Sequence, residues 1–391
     1  MFTSYVMNGQ GVGAEAQALQ AVRFEPGLMR PFLDRFNRPC VTINAGKIYN
    51  NSTGLYEDKQ VTYTVDQAQK MGLQSPVFNA TSMRKEQWIE LDKVVIKAYR
   101  ERLKAWADLV SRNSYGGFDA MSKLTLEYEA VADYGEAVVD MDAVTEGRND
   151  SPLYKLRSLP LPITHADFSF TSRQLAVAGN NGNRLDTQSV EQGARRIAEM
   201  VERTLLGTVI GPTYGTQTGG VTAHDGTSTV YGYTNFPNRI TKTNLTVPLG
   251  TNPEATVADI LAMRQTMYTN KFYGPFMIYH SSDWDTFLDN DYARLGGNNA
   301  NMTLRDRIRK IDDVMDIKRL DYLNAATNPF TLIMVQMTPD VARAINAMEP
   351  TTLQWDTKGG LMKNFKIMAI QVPQLRSDFV GVAGIMHATT A

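Results

Sequence analysis

The 391-residue chain carries 40 Lys and Arg against 41 Asp and Glu, a formal net charge of −1, and 43% of its residues are hydrophobic. This is the composition of an ordinary globular protein with a sizeable core, and the length predicts two or three sub-domains. Tight nucleic-acid binding depends on cations that neutralise phosphates, so the near-neutral balance argues against a dedicated DNA- or RNA-binding protein. The single cysteine, Cys40, excludes an intrachain disulfide framework and fits a reducing compartment.

Residues 1–76 show little periodicity and many turn-forming residues, including Pro26, Pro31, Pro39 and the run NNSTG at 50–54. Such a long irregular segment should be disordered unless another surface holds it, and we expect neighbouring copies of the chain to do so. The first residues lack the basic start and apolar run of a signal peptide, and no apolar run approaches the roughly 20 residues of a membrane helix. We therefore expect a soluble protein made in a cytoplasm.

The segment 83–111 is predicted to form one long amphipathic helix. Its apolar residues recur at steps of three and four, while Lys, Glu and Arg take the other side. Ser82 can cap the start, and Gly116 with Gly117 ends the element. The predicted buried face consists of Trp88, Leu91, Val95, Tyr99, Leu103, Trp106 and Val110.

Residues 124–170 change to the two-residue period of strands, with a loop at 145–155. Pro160 and Pro162 exclude a central position in a sheet, so the segment is predicted to be a long two-stranded arm. An isolated hairpin is only marginally stable in water, and this one should need a partner surface. The predicted strands are 124–130, 138–144 and 159–170.

The segment 188–207 predicts a second helix, about 30 Å long for twenty residues. Asp186 or Ser189 can cap its start, and Gly207 fits the position just past its end. Arg195 and Arg196 could bind a phosphate, but neighbouring glutamates favour salt bridges within the helix or across a subunit contact. The predicted buried face consists of Val190, Ala194, Ile197, Val201 and Leu205.

The remainder of the chain predicts loops followed by a mixed α+β domain. Residues 211–239 are rich in Gly and Thr, which is typical of loops and short hairpins. Predicted helices are 257–268, 282–290, 305–314 and 339–347, and predicted strands are 276–280, 330–337, 364–372 and 378–386.

The sequence predicts no catalytic, cofactor-binding or metal-binding residue, so we expect a protein that is not an enzyme. The histidines His165, His224, His280 and His387 form no metal-ligand spacing. His280 precedes Ser281, Ser282 and Asp283, but a triad converges from separate elements, and helix capping by either serine is the better interpretation. The run GQGVGAE at 9–15 departs from a dinucleotide loop and follows no predicted strand.

An acidic run, Asp283, Asp285, Asp289 and Asp291, lacks the Gly and terminal Glu of a calcium loop. A solvated helix end is the stronger interpretation of these four residues.

The chain resembles a known protein family, and the resemblance lies in the order of its elements more than in any single motif. The order is an irregular N-terminal arm, an amphipathic helix, a long hairpin, a second helix, a Gly-rich segment and an α+β domain. It is similar to the Hong Kong 97-type fold of tailed-phage major capsid proteins, in its encapsulin-like branch, over about 77–391. The similar segments are Trp88 to Leu109 with Gly116-Gly117, ADFSFTSRQLAVAG at 166–179, ARRIAEMVERTLLG at 194–207, YGYTNFPNR at 231–239 and GPFMIYHSSDW at 274–284.

The resemblance implies a domain organisation in which the arm and the hairpin, called the E-loop in this family, lie across adjacent subunits. The implied divisions are an extended N-terminal arm (1–76), the N-terminal helix of a peripheral domain (77–118), the E-loop hairpin (119–172), the peripheral domain with its spine helix (173–240), an axial domain (241–348) and returning C-terminal strands (349–391).

The resemblance also implies a major capsid protein that self-assembles, as hexamers and pentamers, into an icosahedral head shell around the double-stranded DNA of a tailed virus. Implied partners are scaffolding and portal proteins, with a cement protein as a further partner, and DNA contacted non-specifically. No cofactor and no membrane are implied, and the protein is expected in the virion after assembly in the host cytoplasm. An encapsulin nanocompartment housing a cargo enzyme and, more remotely, a soluble α/β enzyme remain alternatives.

Eight residues are candidates for subunit interfaces because they lie on the hairpin or on the second helix. Some members of the resembled family cross-link a hairpin lysine to a neighbouring asparagine, but no acceptor motif matches here, so assembly is expected to be non-covalent. The candidates are Arg148, Tyr154, Lys155, Arg157, Arg195, Arg196, Glu199 and Glu202.

Overall fold

The computed structural model contains helices and strands along most of the chain. It describes residues 32–34, 36, 38–50, 55–70, 85–118, 121, 123–131, 141–142, 154–174, 188–208, 210–211, 215–216, 221–222, 229–248, 252–291, 302–323 and 330–390.

The elements alternate between helix and strand in the manner of an α+β protein. The helices are α1 (Val65–Lys70), α2 (Lys85–Arg102), α3 (Ala105–Asn113), α4 (Gln188–Leu206), α5 (Pro253–Thr269), α6 (Asp285–Leu288) and α7 (Leu304–Arg309). The strands are β1 (Phe32–Leu33), β2 (Pro39–Asn50), β3 (Leu55–Thr64), β4 (Ser114–Tyr115), β5 (Thr125–Val131), β6 (Tyr154–Pro160), β7 (Thr164–Thr171), β8 (Ile210–Gly211), β9 (Gly215–Thr216), β10 (Val221–Thr222), β11 (Thr229–Val230), β12 (Ile240–Lys242), β13 (Phe276–His280), β14 (Val314–Arg319), β15 (Leu332–Gln336), β16 (Ala342–Thr357), β17 (Met362–Leu375) and β18 (Ile385–Ala388).

Two sheets organise the fold. The four-stranded sheet has the order β4-β16-β17-β7, with α2 and the first half of α4 packed on one face and the β5–β6 pair on the other. The five-stranded sheet has the order β12-β18-β15-β13-β14. Helices α5 and α7 cover one face of it, while α3 and the second half of α4 cover the other. Helix α4 therefore spans both cores.

The buried face predicted for the second helix is confirmed in α4. Val190, Ala194 and Ile197 lie in the core of the four-stranded sheet, whereas Val201 and Leu205 lie in the core shared with the five-stranded sheet; none of the five is more than 1% exposed. Gly207 follows the helix with φ of +80°, the left-handed conformation predicted for its end.

The predicted cap of α4 needs a correction. The helix begins at Gln188, so Ser189 lies inside it and the prediction that Ser189 caps it is wrong. The alternative cap, Asp186, lies outside the described residues.

The single helix predicted at 83–111 is wrong, because the chain breaks between α2 and α3. Glu202 of α4 accepts hydrogen bonds from the backbone N–H groups of Ala105 at 2.7 Å and Trp106 at 3.1 Å, which start a new helix there. Most of the predicted buried face survives the break: Trp88, Leu91, Val95, Tyr99 and Trp106 are at most 5% exposed, whereas Leu103 and Val110 are only partly buried.

The predicted arm at 124–170 is only partly correct. β5 pairs antiparallel with β6, from Thr125 opposite Pro160 to Val131 opposite Tyr154. β7, however, pairs along its whole length with β17, so it belongs to the four-stranded sheet of its own chain. The long strand β17 offers a hydrogen-bonding edge that local sequence does not reveal. Most of the predicted strand 138–144 lies outside the described residues.

The N-terminal segment is not as irregular as expected. β2 and β3 form a long antiparallel hairpin, from Cys40 opposite Thr64 to Asn50 opposite Leu55. Val, Ile, Thr and Tyr on both sides of the NNSTG run are the strand signal that the low overall periodicity obscured. The predicted irregular structure of 39–50 and 55–64 is therefore wrong, while residues 1–31, 51–54 and 71–76 lie outside the described residues.

The predicted strands at 276–280, 330–337 and 364–372 are confirmed as β13, β15 and β17. The predicted helix at 339–347 is wrong, because that segment is the start of β16, whose buried Ala342, Ala344 and Ile345 pair with β17. Pairing with a long neighbour overrides the helix propensity of this Ala-rich segment.

The helix predicted at 257–268 is confirmed within α5, Pro253–Thr269. Three other predicted elements are shorter than expected. The helix at 282–290 is a 3₁₀ turn, Ser282–Trp284, followed by α6. The helix at 305–314 is reduced to α7, which Thr303 and Asp306 start with a capping box, and only the end of the strand at 378–386 forms, as β18.

Gly232 packs directly against the C-terminus of α4, where the following residues bind the last carbonyls of the helix. A Cβ atom on Gly232 would lie 2.1 Å from the Gly207 nitrogen and 2.5 Å from the Thr204 oxygen. We expect Gly232→Ala to lower the free energy of unfolding by about 1–3 kcal/mol or more, because the backbone at Gly232 and the C-terminus of α4 must move apart to make room for the new Cβ atom. The measurement is urea unfolding, with Gly193→Ala inside α4 as control.

The control should change stability little or raise it by up to about 1 kcal/mol, since a helix gains from Ala in place of Gly. Its Cβ would make an ordinary contact, 3.4 Å from Cδ1 of Ile367. Equal stability of Gly232→Ala and the parent chain would contradict the close approach described above.

Candidate assembly surfaces

The β5–β6 pair has one face against its own chain. Residues directly opposite in an antiparallel pair project from the same side. Leu126 lies opposite Leu159 on the side that contacts the core of the four-stranded sheet. Near the far end of this side, the guanidinium of Arg376 lies 5.5 Å from the Tyr128 ring and donates to the Glu129 carbonyl at 3.1 Å. The base of the hairpin is therefore anchored within the subunit.

The other face of the pair, which we call the outer hairpin face, is exposed. It carries Glu127 opposite Ser158, Glu129 opposite Leu156, and Tyr154. Tyr154 and Leu156 are each 62% exposed, and they lie two residues apart on the same side. Neighbouring large apolar side chains with this exposure are typical of a contact surface.

The hairpin candidates lie on different faces. Tyr154 belongs to the outer hairpin face, whereas Lys155, opposite Ala130, and the half-buried Arg157, opposite Tyr128, project from the anchored side. Arg148 lies outside the described residues. Sequence reasoning missed Leu156, Glu127 and Glu129, although the strand alternation with Tyr154 contained the signal.

The predicted salt bridges of the second helix form within α4. Nε of Arg195 lies 2.9 Å from Oε1 of Glu199, and Arg196 lies 3.2 Å from Oε2. Burial opposes ionisation of Glu199, but the hydrogen bond from Arg195 and the charge of Arg196 outweigh it and lower the pKa of Glu199. Both arginines keep more than half of their side chains exposed, so this part of α4 stays accessible.

Glu202 does not fit the role of a surface residue. It is 1% exposed, and both carboxylate oxygens accept hydrogen bonds from the start of α3 in the same chain. The expectation that Glu202 lies at a subunit interface is therefore wrong. The helical period alone does not distinguish an exposed glutamate from one that faces another helix.

The residues around His280 do not form a catalytic triad. His280 is fully buried, its Nδ1 atom lies 2.8 Å from the Ser281 carbonyl, and its Nε2 atom lies 3.4 Å from Arg305. Burial lowers the pKa of His280. The Ser281 hydroxyl instead donates to Asp283 at 3.3 Å. Ser281 occupies the cap position of the following turn, although its side chain makes no capping hydrogen bond.

Two residues of the acidic run, Asp285 and Asp289, are paired with arginines. Arg305 donates to Asp289 at 2.6 Å and to Asp285 at 2.9 Å, and Arg319 donates to Asp285 at 2.7 Å. Burial opposes ionisation of Asp285, but hydrogen bonds from both arginines outweigh it and lower the pKa of this carboxyl. The network ties α6 and α7 to β14, because the arginines come from elements distant in sequence.

The part of the chain that the structure describes contains no group of three or more metal-binding side chains. Within the same residues, no helix combines the length and apolar character that a membrane span requires.

Comparison with known families places most of the chain in one family. A model described as "Family of unknown function (DUF6260)" matches residues 79–388. The chain belongs to this family. No curated protein matches the DUF6260 chain.

Two solved structures share the architecture of the DUF6260 chain. A virus-like particle protein from Pyrococcus furiosus is 14% identical, with a TM-score of 0.52, and the match covers 78% of this chain and 99% of that chain. The capsid protein of the Myoviridae phage XM1 is 10% identical, also with a TM-score of 0.52, and the match covers 72% of this chain and 92% of the phage chain.

The predicted fold class is confirmed: the DUF6260 chain has the α+β Hong Kong 97-like capsid fold.

Proposed function

We propose that this DUF6260 protein is a major capsid protein that assembles into an icosahedral shell around the double-stranded DNA of a tailed virus. The match of the fold over almost the full length of a shell protein and of a phage capsid protein carries the proposal. Its role is structural, because the side chains that could suggest chemistry, around His280 and Asp285, are engaged in internal hydrogen bonds.

The hairpin supplies the subunit contact in this proposal. Its base is fixed on the parent chain through Arg376, and its outer face presents Tyr154 and Leu156 to a neighbouring subunit. One patch that docks on a different patch of the next copy makes a head-to-tail contact, and such contacts close into rings like hexamers and pentamers. Arg195 and Arg196 are a second proposed contact, since Glu199 balances only part of their charge.

The domain roles follow the same proposal. Residues 1–76 act as the N-terminal arm, and 77–118 with 173–240 form the peripheral domain. The axial domain occupies 241–341 rather than 241–348, because β16 begins at Ala342 and pairs in the four-stranded sheet. The strands β7, β16 and β17 belong to the peripheral domain, whereas β18, in the C-terminal segment 349–391, lies in the five-stranded sheet. The E-loop is confined to the segment before β7, because β7 is a strand of the peripheral sheet. Scaffolding, portal and cement proteins are proposed partners in the virion, with assembly in the host cytoplasm.

The near-neutral composition fits an inner wall against which packaged DNA lies without tight binding. DNA is therefore proposed as a non-specific partner of the finished shell.

The test is negative-stain microscopy and analytical ultracentrifugation of the expressed full-length chain, alone and with its neighbouring viral gene products. We expect closed, uniform particles. A chain that remains monomeric under both conditions would exclude the shell function.

A nanocompartment is the second candidate, because the Pyrococcus furiosus particle protein matches with the same TM-score as the phage protein. Native particles from the source cells separate the two. Long double-stranded DNA and an attached tail support the capsid, whereas an enclosed enzyme without DNA supports the nanocompartment.

A further inference from the structure

The base of the β5–β6 hairpin carries a second exposed apolar surface, which we call the base patch. Its large apolar side chains are Tyr115 of β4, Leu124 just before β5 and Ile163 just before β7. Their exposed fractions are 44%, 86% and 43%. The half-buried ring of Phe118 lies beside them, with its centroid 6.0 Å from that of Tyr115. Apolar side chains of this size and exposure are typical of a contact surface when they lie together.

A cation and the hairpin backbone connect the members of the base patch. The Nζ atom of Lys123 lies 5.4 Å from the centroid of the Phe118 ring. The next residue, Leu124, accepts a hydrogen bond from the Leu161 N–H at its carbonyl, at 2.9 Å. Ile163 follows Leu161 by two residues. The patch therefore runs without interruption from β4 to the start of β7.

The core holds the base patch in place. β4 pairs with β16 at Tyr115, and the next residue, Gly116, approaches β16 so closely that a Cβ atom would lie 2.5 Å from the Asn346 carbonyl oxygen. Phe118 packs against the core of the four-stranded sheet, in which Leu161 is buried. A surface that is already ordered loses little conformational entropy when a partner docks on it.

The base patch and the outer hairpin face carry opposite charges. Glu127 and Glu129 are exposed on the outer hairpin face, and among the described residues no cationic side chain pairs with either carboxylate. Within the same part of the chain, no carboxylate pairs with the exposed Lys123. Two carboxylates beside two large apolar side chains thus match an ammonium group beside three, and opposite charges across a contact fix its orientation.

The two surfaces cannot meet within one chain. From Leu124 to Val131, which pairs with Tyr154, β5 rises about 24 Å at roughly 3.4 Å per residue. Both surfaces nevertheless lie on the side of the four-stranded sheet that carries the β5–β6 pair, because Phe118 and Leu126 pack against the same core. Two copies that lie side by side in one layer can therefore bring them together.

We propose that the base patch is the surface on which the outer hairpin face of a second copy of this chain docks, with the two glutamates of one copy beside Lys123 of the next. The inference rests on the proposed shell function and names the acceptor surface of the hairpin. Because the two patches differ, the contact is head-to-tail and can close into a ring.

The test is charge reversal across the contact in the full-length chain, under the conditions in which the parent chain forms shells. Lys123→Glu alone, or Glu127→Lys with Glu129→Lys, places like charges opposite each other. We expect each change to raise the protein concentration needed for closed particles about fivefold or more at low salt, and less at high salt. All three substitutions together restore opposite charges and should return this concentration to within about twofold of the parent value.

Ultracentrifugation and electron microscopy measure the particles, and circular dichroism checks the folding of each variant. Lys155→Glu is the matched control, because it reverses an exposed lysine on the anchored side of the same hairpin. Combined with Glu127→Lys and Glu129→Lys, it should not restore assembly.

Normal shells from Lys123→Glu overturn the inference and leave the shell function in place. The same holds if the three substitutions together assemble no better than the separate sets, or if Lys155→Glu restores assembly equally well. A parent chain that never forms shells refutes the shell function itself, and the contact with it.

Discussion

Replacing Tyr154 and Leu156 together by Asp is expected to give a folded chain that no longer forms closed shells. Both side chains are 62% exposed on the outer hairpin face, so the substitution removes little packing within the subunit. In an assembled shell each would be buried against a neighbour, and burying a large apolar side chain contributes about 1.5–3 kcal/mol. Two new carboxylates would also require desolvation at every copy of the contact.

The measurement is the fraction of protein in closed particles, by ultracentrifugation and electron microscopy, with circular dichroism as the check on folding. Ser158→Asp is the matched control, because it adds one charge to the same face without removing apolar surface. We expect this control to assemble, with a shift that depends on salt concentration. Normal shells from the double variant would show that this face is not a subunit contact.

The elements with a strong period were predictable from the sequence alone. The buried residues of α2 and α4 follow the three- and four-residue steps, and β13 and β15 are continuous apolar runs between turn signals. In these segments local propensity and tertiary packing favour the same structure.

The failures occur where a distant partner decides the structure. The start of β16 is Ala-rich and locally suits a helix, but β17 pairs with its whole length. β7 looks like a continuation of the hairpin, and the same strand β17 draws it into the sheet. The break before Ala105 has no Pro or Gly to announce it, because its cause is the carboxylate of Glu202, 97 positions away.

The candidate surface was predictable to a smaller extent. The loop signals at 145–155 led to Tyr154, but which hairpin face is free depends on where Arg376 anchors the other face. Arg195, Arg196 and Glu199 behave as the helical spacing predicts, whereas Glu202 is buried because α3 begins beside it. The spacing of residues along a helix predicts on which side each residue lies, but it does not identify what packs against that side.

An aromatic cluster packs α2 on the four-stranded sheet, on the face opposite the β5–β6 pair. Phe365 of β17 is fully buried at its centre, stacked on Phe168 with ring centroids 5.2 Å apart. The edges of Phe170 and Trp88 meet the same ring at 5.7 Å and 6.4 Å. The Phe365 ring of β17 therefore contacts both α2 and β7. In a close-packed core, the surrounding side chains cannot easily move inward to fill the space that this ring would leave.

Phe365→Ala is expected to lower the free energy of unfolding of the four-stranded sheet and its packed helices by about 3–5 kcal/mol, because apolar burial is lost and a cavity is left behind. Since whole domains are stable by only about 5–15 kcal/mol, the four-stranded sheet should open locally before the rest of the chain. Urea-dependent hydrogen exchange of α2 and β17 measures this. Phe36→Ala, the same change at a ring that is 78% exposed, should cost less than about 1 kcal/mol, and equal losses at both positions would contradict a central role for Phe365.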